Sequence, residues 1–174
     1  MIKKFSISIL ACVLMVACAS SEKTGTTVTS VDHVDLQKYL GTWFEIGSFP
    51  MFFQRQCVAN SQANYTMEVD GRIGVHNQCQ TNDGIDKANG VAVVVDGSKN
   101  AKLKVSFFGP FWADYWVIGL DPNYQWALVG NPNRKYLWLL SRTKTLPKEQ
   151  LDAALSVARQ QGFDLNNFHY TAQR

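Results

Sequence analysis

Between residues 42 and 142 the chain is a succession of short segments in which apolar and polar side chains alternate. An alternation with a period of two places successive side chains on opposite faces of a β-strand. The segments are separated by turn-forming residues, namely Asp70-Gly71, Gly97-Ser98-Lys99-Asn100, Gly109-Pro110, Pro122-Asn123 and Asn131-Pro132-Asn133. Short strands at this near-regular spacing predict an antiparallel sandwich or barrel.

We predict eight strands, at residues 42–49, 57–67, 73–79, 90–96, 102–107, 115–121, 125–130 and 136–142. After Pro147 apolar residues recur at helical spacing, and Gly162 ends the predicted helix. Because the strand at 136–142 is apolar on both faces, we expect this helix to cover its outer side. Residues 168–171 are a candidate edge strand. Eight up-and-down strands with one late helix favour a closed barrel, since closure removes exposed strand edges.

Small side chains mark the predicted interior of this barrel. Ala59, Ser61 and Ala63 share one face of the second strand, and the fourth strand offers either Ala92 or the opposite face of Val91, Val93 and Val95. An eight-stranded barrel can enclose one small ligand if its own side chains leave room. The alternative is an interior packed by those side chains.

The first residues have the pattern of a bacterial lipoprotein signal peptide. Lys3 and Lys4 precede an uncharged run at residues 5–17, which is too short to span a bilayer and suits a secretory signal. Small residues then precede Cys18, as they do at bacterial lipidation sites. We predict a signal peptide at 1–17 and lipidation of Cys18; an ordinary cleaved signal and a lipidated Cys12 are the alternatives.

Residues 18–30 are predicted to be the lipidated cysteine and a flexible tether, because this stretch is polar, rich in Ser, Thr and Gly, and without periodicity. Residues 31–174 then form the barrel domain. Ala19, rather than Asp, follows Cys18, and the resemblance to other bacterial lipoproteins implies attachment to the outer membrane. We expect the protein to face the periplasm.

Two cysteines, Cys57 and Cys79, remain in the predicted domain, in an oxidising compartment. They lie on the two arms of one predicted hairpin, which favours a structural disulfide. Two independent buried thiols are the alternative. Their register differs from a simple hairpin count, so a disulfide requires a bulge or a curved strand.

Three sequence blocks together resemble the lipocalin family. They are LGTWFEI at residues 40–46, DYWVIGLD at 114–121 and LSRT at 140–143, in the family's order and followed by a helix. Residues 105–111 and 136–138 are similar to bacterial outer-membrane lipocalins. The resemblance implies an eight-stranded up-and-down barrel and an apolar ligand. It also implies that Gly41, Trp43 and Arg142 form the family's structural signature.

The predicted topology separates a closed end from a mouth. Trp43 begins the first strand and Arg142 ends the eighth, so both lie at one end, where a cation–π contact would close the barrel. The mouth is then built by residues 50–56, 80–89, 109–114 and 131–135. The candidate ligand-binding residues near it are Phe53, Phe107, Trp112, Tyr136, Trp138 and Leu140.

We expect this cavity to hold a fatty acid or lysophospholipid, since an apolar pocket with few polar groups is typical of small-molecule sites. Four cations at the mouth could neutralise an anionic head group, or be solvated charges balanced by Asp83, Asp86 and Asp114; they are Arg55, Lys87, Arg134 and Lys135. A carrier of another apolar ligand, such as a tetrapyrrole, is an alternative. An envelope-interaction protein with a packed barrel is another.

Other functions find little support in the sequence. His33, His76 and His169 lack metal-ligand spacing, and no catalytic or phosphate-binding motif is present, so we expect no enzyme activity, metal or cofactor. A net charge of +3 is too small for nucleic-acid binding. The apolar run Met51-Phe52-Phe53 could be a lid, a contact in a homodimer or a membrane-facing patch.

Overall fold

The structure is a computed structural model that describes residues 26–174. The predicted signal peptide, Cys12, Cys18 and the first part of the predicted tether lie outside the described residues. The strands are β1 (Gly41–Ser48), β2 (Ala59–Met67), β3 (Ile73–Thr81), β4 (Gly84–Val94), β5 (Lys102–Phe108), β6 (Phe111–Leu120), β7 (Trp126–Gly130), β8 (Leu137–Ser141) and β9 (His169–Tyr170). The helices are α1 (Leu36–Tyr39) and α2 (Lys148–Gln160), and single 3₁₀ turns cover Phe52–Gln54 and Leu165–Asn167.

The eight predicted strands close into an antiparallel barrel. Each strand from β2 to β7 pairs with the next in sequence, and β1 pairs with both β8 and β2. The candidate edge strand at the C-terminus is also present as β9, which pairs with Gly47 and Ser48 at the end of β1. The predicted fold class is therefore confirmed.

Two of the loops at the mouth are shorter than predicted. β4 begins at Gly84 instead of residue 90, so Thr81 pairs with Gly84 across a tight turn. β6 begins at Phe111 instead of residue 115, where it pairs with Phe108. Residues 84–89 are all exposed, because a two-stranded ribbon that projects beyond the barrel has solvent on both faces. Because neither face of this ribbon is buried, its sequence lacks the alternation of apolar and polar residues that marks a half-buried strand.

The C-terminal helix α2 is confirmed, but the surface that it covers differs from the prediction. It packs against β6 and β7, with Ala154, Leu155 and Ala158 buried. Gly119 on β6 permits this close approach, since a Cβ there would lie 3.3 Å from Val157. The outer residues of β8 belong to the same apolar cluster without forming the main contact surface of the helix.

The ordered body begins before residue 31, so the predicted tether is too long at its C-terminal end. Val28 is buried against the outside of the barrel, in the cluster that contains Phe163 and Ile118. The backbone N–H of Thr29 donates to Gln161 Oε1 at 2.8 Å, and that of Val31 donates to the Val117 carbonyl at 2.8 Å. Val28 is a single apolar residue among polar ones, so this segment has no periodic pattern from which the packing could be predicted.

A disulfide joins Cys57 and Cys79, whose Cα atoms are 5.5 Å apart. The predicted irregularity is also present: the pairing of β2 with β3 shifts between Ala59 and Gln62, and Asn60 has a positive φ of 54°. This bulge turns β2 so that Cys57, just before the strand, faces Cys79 near the end of β3. The structural disulfide is confirmed, and the alternative of two free thiols is wrong.

The double substitution Cys57→Ala/Cys79→Ala is expected to lower the free energy of unfolding by about 3 kcal/mol, because the disulfide restricts the unfolded chain over a separation of 22 residues. Urea denaturation followed by tryptophan fluorescence measures the loss. Reduced wild-type protein is the control and should unfold at the same urea concentration as the double variant. Equal stability of the oxidised wild type and the double variant would contradict the prediction.

Candidate ligand-binding site

A cavity of about 800 Å³ occupies the barrel and opens at one end. Ser61, Ala63 and Ala92 line it, so the interior face of the fourth strand is the one that carries Ala92. Larger apolar residues on the facing strands, Leu103 and Val105, do not reach across the space that these small side chains leave. The alternative of a barrel filled by its own side chains is therefore wrong.

All six predicted ligand-binding residues line this cavity: Phe53, Phe107, Trp112, Tyr136, Trp138 and Leu140. Tyr136 and Trp138 stack at the wall with ring centroids 5.9 Å apart, and Phe53 lies 6.0 Å from Tyr136. Trp112 is 47% exposed and Phe53 is 46% exposed, so both belong to the entrance. Alternation along β8 had predicted that Tyr136, Trp138 and Leu140 share a face, and the structure places that face inward.

A buried carboxylate near the mouth was not predicted. Glu45 on β1 lines the cavity and is only 7% exposed. Its oxygens accept hydrogen bonds from Ser48 Oγ at 3.1 Å, from Gln54 Nε2 at 3.2 Å and from the Thr171 hydroxyl. Gln54 Oε1 in turn accepts from Trp138 Nε1 at 3.3 Å. This network connects the loop that carries Phe53 to the aromatic wall.

The opposite end of the barrel is closed by the predicted pair. The Arg142 guanidinium lies 3.7 Å from the centroid of the Trp43 ring, and it donates hydrogen bonds to the carbonyls of Lys38, Leu40 and Thr42. Trp43 Nε1 donates to the Tyr39 carbonyl at 2.7 Å. These hydrogen bonds hold helix α1 across the end of the barrel. The helix was not predicted, because a single turn has no periodic pattern in the sequence.

Three tyrosine hydroxyls meet at the deep end of the cavity. The Tyr115 hydroxyl lies 2.8 Å from that of Tyr39 and 2.9 Å from that of Tyr65, and all three residues line the cavity. Burial raises the pKa of Tyr65 to about 12. Burial, with the neighbouring phenols adding to it, raises the pKa values of Tyr39 and Tyr115 well above the ordinary value. The floor of the cavity is therefore polar but uncharged.

We expect stability to fall as the pH rises from about 10 to about 12, since an unfolded tyrosine loses its proton near pH 10 while the buried phenols keep theirs. The contribution of Tyr65 is complete below pH 10 and is lost as the pH approaches its folded pKa of about 12. Each such tyrosine adds a slope of up to about 1.4 kcal/mol per pH unit. Urea denaturation between pH 9 and 11.5 measures the slope.

Tyr65→Phe is the control for this pH dependence. The variant should lose stability less steeply than the wild type above pH 10, because one of the phenols that resist ionisation is gone. Lysines titrate in the same range in both proteins, so the difference between the two slopes isolates the phenol. Parallel curves would mean that the Tyr65 phenol ionises equally well in the folded and unfolded chain.

The charges predicted at the mouth have different surroundings from one another. Of the four cations, only Lys87 lines the cavity. Arg134 Nε donates to the Gln161 carbonyl at the end of α2 at 2.7 Å, and Arg55 Nε donates to the Phe52 carbonyl at 3.0 Å. Asp114 pairs with Lys104 at 2.7 Å. Arg134 and Arg55 therefore stabilise the loops and helix end around the mouth.

Within residues 26–174, no group of three His, Cys, Asp or Glu side chains is placed to hold a metal ion. No helix in the same range has the length and apolar character needed to cross a membrane.

A closed barrel with one open end and an apolar, unfilled interior defines a class of proteins that bind hydrophobic ligands. The profile of the lipocalin-like domain matches residues 34–173. The chain belongs to the lipocalin family, as its three sequence blocks had predicted. Members of this family are ligand-binding carriers.

Curated relatives match over most of their length. The chain is 42% identical over 162 residues to outer membrane lipoprotein Blc of Escherichia coli (strain K12), covering 92% of this chain and 90% of the relative. It is 40% identical over 168 residues to the protein of that name from Citrobacter freundii, covering 95% and 94%. Temperature-induced lipocalin-1 of Arabidopsis thaliana is 38% identical, covering 82% and 81%. The bacterial relatives support the outer-membrane localisation predicted from the N-terminal sequence.

Solved structures share the fold. Insecticyanin from the tobacco hornworm Manduca sexta superposes with a TM-score of 0.68 at 23% identity, covering 83% of each chain. The cockroach allergen Per a 4 superposes with a TM-score of 0.67 at 21% identity, covering 84% of this chain and 92% of the other. At these identities the likeness establishes the lipocalin barrel alone.

Proposed function

We propose that this lipocalin holds a fatty acid or lysophospholipid, with the acyl chain inside the barrel and the head group at the mouth, for storage or transport at the outer membrane. The observation that carries the proposal is the unfilled apolar cavity of about 800 Å³ with a single mouth. This volume falls within the range of roughly 300–1,000 Å³ that is usual for small-molecule sites. Burial of an acyl chain contributes about 0.8 kcal/mol per CH₂, so a long chain supplies the main part of the affinity.

The polar groups of the cavity support a lipid with a polar head. Glu45, Gln54 and Lys87 line the mouth, while the deep end carries uncharged polar groups, among them the tyrosine hydroxyls. Asn77 also lines the cavity, and its side-chain oxygen is buried with no hydrogen-bond partner. The polar groups at the mouth can hydrogen-bond to the glycerol and head group of a lysophospholipid, which favours that ligand over an unsubstituted fatty acid.

The proposal includes the predicted organisation of the chain. A signal peptide at residues 1–17 directs export, acylated Cys18 anchors the mature protein in the outer membrane, and the body faces the periplasm. Relatives that are named as outer membrane lipoproteins support this arrangement. Mass spectrometry of the mature protein is expected to find an acylated N-terminal Cys18. An N-terminus at any other residue would contradict the anchor while leaving the cavity proposal intact.

Binding is tested with the full chain purified from membranes, after detergent removal. Native mass spectrometry is expected to detect a bound acyl ligand, and fatty acids and lysophospholipids should displace a fluorescent fatty acid that quenches tryptophan emission. A lysophospholipid is expected to displace the probe at a lower concentration than the fatty acid of equal chain length. The absence of displacement by every acyl ligand would overturn the proposal, and visible absorbance of the purified protein would indicate a pigment.

A further inference from the structure

Exposed aromatic side chains are concentrated around the mouth. Among residues 26–174, every strongly exposed Phe or Trp lies there, and these side chains form what we call the aromatic rim: Phe52, Phe53, Phe108, Phe111 and Trp112. The first two belong to the 3₁₀ turn after β1, and the others to the hairpin of β5 and β6. Phe108 is 79% exposed and Phe111 is 76% exposed. A concentration of exposed apolar side chains of this kind marks a binding surface.

The opposite end of the barrel has a different surface. Its connecting turns carry acidic side chains: Asp70 in the turn between β2 and β3, Asp96 between β4 and β5, and Asp121 between β6 and β7. Asp32 is exposed nearby and pairs with Lys99 at 3.0 Å. The exposed Phe and Trp rings are therefore confined to the mouth, whereas the closed end carries charges of both signs, since Asp70 pairs with Arg72 and Asp32 with Lys99.

The N-terminal segment of the described chain, residues 28–34, forms a strap along the outside of the barrel. At one end, the Val34 N–H donates to the Lys99 carbonyl in a turn of the closed end. At the other end, the Thr29 N–H donates to the side chain of Gln161, which follows the last residue of α2. Arg134 lies at the mouth, in the connection between β7 and β8, and its Nε donates to the Gln161 carbonyl. Thr29 and Val31 therefore lie beside Ile118 and Val117 of β6, and the strap runs from there towards the closed end.

The length of the connecting chain matches this geometry. Cys18 and Thr26 are eight residues apart, a distance of about 16 Å on average for a flexible chain and at most about 28 Å when extended. Phe111 at the rim and Ile118, the level at which Thr29 is held through Gln161, are seven residues apart on β6, which is a rise of about 23 Å. An acylated Cys18 therefore reaches the plane of the aromatic rim within the span of this chain.

We propose that the aromatic rim docks on the phospholipid bilayer in which the protein is anchored, so that the cavity opens directly onto the membrane surface. This inference rests on the anchoring part of the proposed function. Aromatic side chains favour the interface between lipid head groups and acyl chains, and within residues 26–174 the closed end has no exposed Phe or Trp that could compete for it. The short connection keeps the rim at a high effective concentration near the bilayer, whereas a second copy of the chain must arrive by diffusion.

The orientation is tested with two fluorescent labels on the acylated full chain in vesicles. Gly109→Cys places a label at the tip of the rim hairpin, where an added Cβ meets no atom within 4 Å. Val69→Cys places one at the closed end, where Val69 is fully exposed. Cys57 and Cys79 are disulfide-bonded and do not react. Vesicles of phosphatidylethanolamine and phosphatidylglycerol with brominated acyl chains are expected to quench the label at position 109 at least about threefold, and the label at 69 hardly at all.

A rim variant and a matched control identify the side chains responsible. Phe52→Ser/Phe108→Ser/Phe111→Ser should abolish the quenching at position 109, whereas Met67→Ser, which removes an exposed apolar side chain distant from the rim, should leave it unchanged. Met67 is 42% exposed. The Ala63→Trp variant, which fills the cavity, distinguishes docking from ligand binding. Quenching at position 109 that persists in this variant supports docking even if lipid binding is lost.

Three results would overturn the inference. One is equal quenching of the two labels, and another is stronger quenching at position 69. The third is an unquenched label at position 109 in a protein that light scattering shows to be a dimer, because the rim would then be covered by a second copy. A missing acyl group on Cys18 is detected separately by mass and refutes the anchor, which the orientation requires.

Discussion

Trp43→Ala is expected to lower the free energy of unfolding by about 3–5 kcal/mol, the usual cost of removing a large buried aromatic side chain. Trp43 is fully buried at the closed end. Its ring supports the Arg142 guanidinium at 3.7 Å, and its Nε1 donates to the Tyr39 carbonyl. The substitution therefore removes the apolar contacts of the ring, a cation–π contact and a tie to helix α1. Urea denaturation followed by circular dichroism measures the loss.

Trp112→Ala is the matched control for this substitution. The same side chain is removed, but Trp112 is 47% exposed at the mouth and takes no part in closing the barrel. Exposed substitutions of this kind usually change stability by less than about 0.5 kcal/mol, and we expect a value near that limit. If the two variants lost stability equally, the closed end would not be the structural plug that its contacts indicate.

Ala63→Trp is expected to weaken acyl-ligand binding at least 30-fold, about 2 kcal/mol, because the indole would occupy the middle of the cavity. Ala63 lies on β2 opposite Asn77 and lines the cavity. Overpacking of a filled core costs about 1–3 kcal/mol of stability, but here the added ring enters vacant space. We therefore expect stability to change by less than about 1 kcal/mol. Displacement of a fluorescent fatty acid measures the affinity.

Met67→Trp tests whether the effect comes from filling the cavity. It adds an indole to the same strand at a side chain that is 42% exposed and does not line the cavity. Its affinity for the probe should equal that of the wild type within about twofold, since an exposed substitution distant from a site leaves the site unchanged. Unimpaired binding by the Ala63→Trp variant would place the ligand outside the barrel and contradict the proposed function.

The main features of the barrel were predictable because each depends on a local pattern. Alternation in β2 and β5 is produced by one buried face, the apolar run of β8 by burial of both faces, and the helical spacing after Pro147 by one buried stripe on α2. The ribbon at residues 84–89 has neither, since both of its faces are exposed. It was therefore predicted as a loop. Helix α1 is stabilised by the Arg142 side chain from the far end of the domain, and a single turn carries no periodic signal of its own.

Part of the candidate site was likewise predictable from the sequence, and part was not. Its aromatic wall was predictable from β8, where Tyr136, Trp138 and Leu140 share a face by alternation. Glu45 and the tyrosine cluster were not predicted. Tyr39, Tyr65 and Tyr115 lie on three elements far apart in sequence, and their hydroxyls meet only because the barrel closes. Glu45 lies two residues after Trp43 in the family's first block, and that position on the inward face is the signal that could have revealed it.

By itself the sequence determined the class of fold, the hairpin that carries both cysteines and the end of the barrel at which Trp43 and Arg142 lie, because periodicity and strand order specify which side chains share a face and an end. The tertiary structure alone decided that the interior is hollow, which face of the fourth strand lines it, that carboxyl and phenol groups line it, and that residues 28–34 pack along the barrel towards its closed end. Those features depend on distances between strands and on packing of the N-terminal segment against α2, and a pattern along one chain contains neither.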